Sequence, residues 1–219
     1  LDPMEVRRTN FIAPDAFPHE TPTGIIYDSG DYEAVFDRVL ELSEYDSWRE
    51  RSRQQSQDSG VLIGVGLATV VKGSGAKVIT LSEHSRVIVN QDGAVTVHTG
   101  VSPHGQGTET TFAQMTADML GVTPADIEVL HSDTDILPAG GGTGASRGMI
   151  AGGTSLQLVL EDAQEKLTAI AAHLLDCLQG DVVLQDRSAF NRNDPEQTVP
   201  FARLAEAAHT EELLPPGQQ

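Results

Sequence analysis

The chain is poor in residues that mark several common protein classes. One cysteine, Cys177, stands in 219 residues. A lone thiol forms neither an internal disulfide nor a paired-cysteine metal site, so a reducing, cytoplasmic setting is expected. Lysine occurs three times against eleven arginines, and 14 basic side chains face 32 acidic ones, for a formal charge of -18. Phosphate backbones and anionic lipid need a basic face, so neither nucleic acid nor a membrane surface is an expected partner. No apolar run reaches the roughly 18 residues of a spanning helix, and no charged-then-apolar leader opens the chain. The seven histidines are dispersed, with no pair at i, i+4 beside a carboxylate, which removes the usual zinc pattern. No Gly-x-Ser-x-Gly elbow marks a nucleophile.

What is present divides into helical and β-rich stretches. In "LDPMEVRRTNF" Asp2 and Pro3 read as an N-cap and first-turn pair feeding a helix over Met4 to Arg8. A helix that starts so early, without an initiator Met, points to a piece of a longer protein. "FIAPDAFPHETPTGIIYDSG" then carries three prolines and two glycines and must be mostly turn and extended chain. Val35, Val39, Leu40 and Leu42 recur at helical spacing, predicting one or two helices that end near Gln57. Residues 1–58 form a helical and Pro-rich opening segment, and 59–219 an α+β region.

That region begins "GVLIGVGLATVVKGSGAKVITLSEHSRVIVNQDGAVTVHTG", β-branched and nearly free of helix formers. Three or four strands are expected there. The clearest is a hairpin in which Val87 and Val89 answer Val95 and Val97 across an Asp92-Gly93 turn. A helix follows from Thr108 to Leu120, with Phe112, Met115, Met119 and Leu120 on one face and Gly121 as its stop. A short strand is expected at Ile127 to Leu130, then a long helix from about Ile150 to Leu178 with a stripe of Leu156, Leu160, Ala163, Leu167, Ile170 and Leu174. A strand near Val182 to Leu184, a loop and a small helix at Phe201 to His209 close the pattern. There is no internal repeat, and the class is α+β: a mixed sheet with packed helices.

Two glycine-rich turns, "SPHGQGTE" and "GGGTGASRG", each stand just before a helix. Backbone N–H groups at a helix start are unpaired and lie at the positive end of the dipole, and glycine lets a ligand approach them closely. Arg147 adds a planar cation suited to phosphate or carboxylate. The plain alternative is that the glycines only make tight turns. These residues alone therefore support binding of an anionic or polar small molecule and no particular reaction. Weaker candidates fall away: "KGSGAK" lacks the full P-loop spacing, "GVGLAT" lacks the third glycine of a dinucleotide fingerprint, and acidic turns such as "SDTD" are more often solvated or capping than metal-binding. Cys177, on a helical pattern, is expected to be a buried free thiol.

The segments "DPMEVRRTNFI", "YDSGDYEAVFDRVLE" and "TGVSPHGQGTETTFAQMTADMLGVTPADIEVLHSDTDILPAGGGTGASRG", in that order, resemble the molybdenum-binding large subunit of the xanthine dehydrogenase, aldehyde oxidase and carbon monoxide dehydrogenase family, most closely the carbon-monoxide-dehydrogenase type. The resemblance runs to about Ala207 and implies that the chain is an internal portion of a molybdopterin-binding domain. It implies that His104, Gly105, Gln106, Gly107 and Thr108, with Thr143, Gly144, Ala145, Ser146 and Arg147, contact the molybdopterin, in its cytosine dinucleotide form, and its phosphate. The family oxidises or hydroxylates its substrate at the molybdenum centre and passes electrons through iron–sulfur clusters to a flavin. The resemblance thus implies as partners the remainder of the large subunit, an iron–sulfur small subunit and an FAD-binding medium subunit. It places the family's catalytic glutamate after Gln219, and the cysteine loop of the carbon monoxide enzymes before Leu1, so the isolated chain is expected to be inactive. Relatives often carry an aromatic residue and then glycine where this chain has Gly144 and Ala145, which leaves the substrate open. A self-standing anion- or nucleotide-binding module is the competing expectation. A structural piece that self-associates through uncovered apolar surface is another.

Overall fold

The computed structural model describes residues 2–54, 60–73 and 82–215. It comprises two compact units, Leu1–Val71 and Lys72–Gln219.

In the first unit, α1 (Pro3–Thr9) starts as its sequence predicts, with the Asp2 carboxylate accepting from the Met4 N–H at 2.7 Å. After the short pair β1 (His19–Glu20) and β2 (Ile26–Tyr27), Asp31 caps α2 (Tyr32–Leu42), and α3 (Tyr45–Arg53) follows. The stripe expected to seat α2 does not do so: Val35, Val39 and Leu42 are exposed, and Phe36 is the residue that buries. Phe36 meets the edge of Phe11 at 5.2 Å between ring centres. Arg8 reaches Glu33 and Asp37, so α1 and α2 are joined by aromatic and ionic contacts in place of an aliphatic seam. The expected strands over 60–73 are absent from that stretch, which takes no regular structure. β-branched composition favours a pleated conformation, but a strand also needs a laddered neighbour. Residues 74–81, the rest of that expectation, lie outside the described residues.

In the second unit the hairpin is as read: β3 (Ser85–Val89) pairs antiparallel with β4 (Val95–Thr99), setting Val87 opposite Val97 and Val89 opposite Val95. From β4 the chain crosses through α4 (Thr108–Leu120) to β5 (Ile127–His131), which lies parallel to β4 with Val97 beside Val129. This three-stranded sheet is mixed, ordered β3-β4-β5. The glycine-dense loop then enters a π-helical turn, Gly148–Gly153, that leads directly into α5 (Thr154–Leu175). The expected helix thus begins with a wider turn and stops three residues early, where Asp176 turns left-handed at φ 49°.

A second, antiparallel sheet, β6 (Val182–Gln185), β7 (Ser188–Asn191) and β8 (Asp194–Pro200), occupies what the sequence offered as one strand and a loop, and α6 (Phe201–Ala208) follows. The core sits on α5: Leu156, Leu160, Leu167 and Ile170 are buried against Val95, Val97, Phe112, Leu120, Phe201 and the sheet residues around them. Ala163 and Leu174 pack at its margin. Each fully buried leucine contributes about 1.5–3 kcal/mol, so this one helix anchors the sheets from which the glycine loops emerge.

Candidate functional site

The first glycine turn leaves β4 at Thr99 and feeds α4. Gly105 and Gly107 adopt φ of 98° and 80°, a region that costs side-chain-bearing residues about 1 kcal/mol or more. Nothing lies within 4 Å of where a side chain would begin on either glycine, so their backbone faces open space. Gln106 folds back and accepts from the His104 N–H at 2.5 Å. No side chain caps α4, which leaves its first amides and the positive end of its dipole toward the turn. Glu109 in that first turn meets His131 Nε2 at 3.2 Å; His131 Nδ1 meets Ser132 Oγ at 3.1 Å, and Ser132 Oγ meets Ser102 Oγ at 2.9 Å.

The second loop approaches the first through bare backbone: a Cβ on Gly140 would stand 2.7 Å from Gly100 Cα. Thr143 donates its hydroxyl to the Ser102 carbonyl, tying the loops together. Ala145 and Ser146 are successive left-handed residues, φ 45° and 55°, and Lys72 Nζ donates to Ser146 Oγ. Arg147 turns inward. Its side chain is 1% exposed and Nη1 donates to Glu83 Oε2 at 2.6 Å and to the Gly142 carbonyl at 3.1 Å. The guanidinium that the sequence offered to a ligand engages a carboxylate of its own chain.

Between the loops lies a cavity of about 530 Å³ lined by His104, Gln106, Thr108, Thr143, Gly144, Ala145 and Ser146 together with Thr111, Phe112, Gly148 and Met149. Seven of the ten residues singled out from sequence thus share one wall system, while Gly105, Gly107 and Arg147 are not in it. Sequence reasoning missed Thr111 and Phe112, although they stand three and four residues after Thr108 and so on the same helical face. It also missed Met149 and Glu83, which no local pattern marks. Hydroxyls, an amide and an imidazole against one aromatic ring and a thioether match the usual make-up of a small-molecule site, a mostly apolar hollow with a few convergent polar groups. Asp133 in "SDTD" accepts from the Asp135 N–H at 2.9 Å, a capping turn. Among the described residues no group of three His, Cys, Asp or Glu side chains is placed to hold a metal ion, and no helix is long and apolar enough to cross a membrane.

Over residues 38–216 the chain matches the molybdopterin cofactor-binding domain family, and it belongs to that family. Among particular relatives, it is 32% identical over 192 residues to the carbon monoxide dehydrogenase large chain of Hydrogenophaga pseudoflava, covering 83% of this chain and 24% of that one. It is 29% identical over 218 residues to the nicotine 6-hydroxylase large subunit of Paenarthrobacter nicotinovorans, covering 95% and 26%. The solved structure of reconstituted CO dehydrogenase from Oligotropha carboxidovorans superposes with a TM-score of 0.60 at 28% identity, over 100% of this chain and 29% of that one. The chain therefore spans about a quarter of the length of the curated relatives it matches. The α+β class and the family resemblance read from the sequence both hold.

Proposed function

We propose that this chain is the portion of a molybdenum hydroxylase large subunit that supplies two of the loops cradling its molybdopterin. The observation that carries the reading is the cavity itself: two glycine loops separated in sequence by a helix and a strand close on one hollow of about 530 Å³, in a chain whose family is defined by that cofactor. The residues fit such a group. Gln106, Thr108, Thr143 and Ser146 offer donors and acceptors to the edges of a pterin, and Phe112 and Met149 offer apolar contact to its faces. The open backbone of Gly105 and Gly107 at the uncapped start of α4 suits its phosphate. When bound, the cofactor supplies two-electron oxidation of the substrate. This chain's own contribution is to bind and orient it, and we assign none of its residues a catalytic role. The cytosine dinucleotide form, an iron–sulfur small subunit, an FAD-binding medium subunit and a cytoplasmic setting belong to the same proposal.

The test is to purify the gene product that carries this sequence from molybdate-replete cells and to measure molybdenum and the fluorescence of oxidised pterin. Near-stoichiometric amounts of both are expected, with CMP released on mild hydrolysis. Gln106→Ala should raise the dissociation constant of the pterin about tenfold, the change that removal of about 1.4 kcal/mol of binding gives, read as a lower pterin content after extended dialysis. A folded product with neither molybdenum nor pterin sinks the proposal and leaves the anion-binding module.

A further inference from the structure

A single carboxylate oxygen closes the second loop. Glu83 Oε2 accepts from the Gly141 N–H at 3.2 Å and from Arg147 Nη1 at 2.6 Å, so one atom holds both ends of the stretch that carries Thr143 to Ser146. Arg147 adds a third tie to the Gly142 carbonyl. Both side chains are sealed from water, 1% and 3% exposed, and Glu83 lies on neither glycine loop. The fit is tight: a Cβ on Gly141 would fall 1.9 Å from Arg147 Nη1. The loop so closed contains the left-handed pair Ala145 and Ser146. Residues in that region persist only where their surroundings over-determine them.

We infer that Glu83 is a positioning residue for the cofactor loop, and that Arg147 acts on the cavity by shaping that loop and not by touching the ligand. This rests on the proposed function only for the identity of the ligand. The clamp fixes the 141–147 backbone so that Thr143 and Ser146 line the cavity, and it consumes the Arg147 charge within the wall. A buried pair whose partner is removed leaves an uncompensated charge, whereas replacing both members by apolar residues of similar size is often neutral for stability. That asymmetry separates a positioning device from a purely structural one.

The experiment uses the same gene product, with hydrogen exchange and pterin content as parallel readouts. Glu83→Gln, and independently Gly141→Ala, should speed exchange of the 141–147 amides about tenfold while leaving the β6–β8 amides unchanged, and pterin content should fall in step. Glu83→Leu combined with Arg147→Met should restore the unfolding midpoint yet keep the fast loop exchange and the pterin loss. Unchanged loop exchange in Glu83→Gln overturns the inference. So does an Arg147→Gln protein that loses pterin while Glu83→Gln retains it, since that pattern means direct contact with the ligand. Recovery of pterin in the apolar double variant overturns it too, by making the pair merely structural. An unsubstituted protein without pterin counts against the proposed function alone, and the exchange comparison still decides the role of Glu83.

Discussion

Asp126 and Cys177 show how neighbours set the chemistry of single groups in this fold. The Thr123 hydroxyl, donating at 2.7 Å, is the main reason the Asp126 carboxyl is held below the usual carboxylate range; the Thr123 N–H at 3.0 Å and the Arg187 guanidinium act the same way against partial burial. Because the folded state favours the ionised form, the contribution is present above about pH 4 and is lost as acid protonates the group. Asp126→Asn should therefore cost about 1 kcal/mol at neutral pH, measured by urea unfolding, and the deficit should shrink as the pH falls below the ordinary carboxylate range. Burial pushes the Cys177 thiol up, and Asp181 and Asp176 push it further. Little thiolate exists at neutral pH, so iodoacetamide should modify it several-fold more slowly than free cysteine, followed by mass spectrometry. Of the residues read from sequence, those on the two loops were visible because glycine clusters before apolar-periodic helices are a local signal. The inward turn of Arg147 was not, because it depends on Glu83, 64 positions away.

At the scale of elements, legibility follows how much of each element's stabilisation is local. The β3–β4 hairpin, α4 and the stripe of α5 carry their own turn chemistry and apolar period, and all appear where the sequence places them. The strands β7 and β8 did not announce themselves. "SAFN" and "DPEQTVP" have no long apolar alternation, and β8 is almost wholly exposed, as an edge strand bearing prolines can be. The π-helical turn Gly148–Gly153 was read partly as loop because glycine weakens any helical pattern. For α2 the period was real but its direction was not, since Phe36 is drawn to the Phe11 ring while Val35 and Val39 stay outside. On α5, Leu160 is fully buried, and Leu160→Ala should cost about 2–5 kcal/mol. The urea midpoint should fall accordingly; a loss below about 1 kcal/mol would mean that α5 is not the anchor described.

For the whole molecule, a net charge of -18 makes the compact state repel itself. Raising sodium chloride from about 10 mM to about 0.5 M should therefore raise the melting temperature by screening that repulsion, and a flat or falling curve in differential scanning calorimetry would contradict it. The family was legible from sequence because its signature lies in ordered loop segments. The cavity was not, because it exists only where strands distant in the chain bring the loops together. The clamp on the second loop has a temporal consequence. Its donors stand 58 and 64 positions after Glu83, and contacts of such separation close late, once nearer pairings have shortened the loop between them. The hairpin and α4, whose contacts are local, can assemble while the 141–147 segment is still wandering, so the wall of the binding site takes its shape after the elements that frame it.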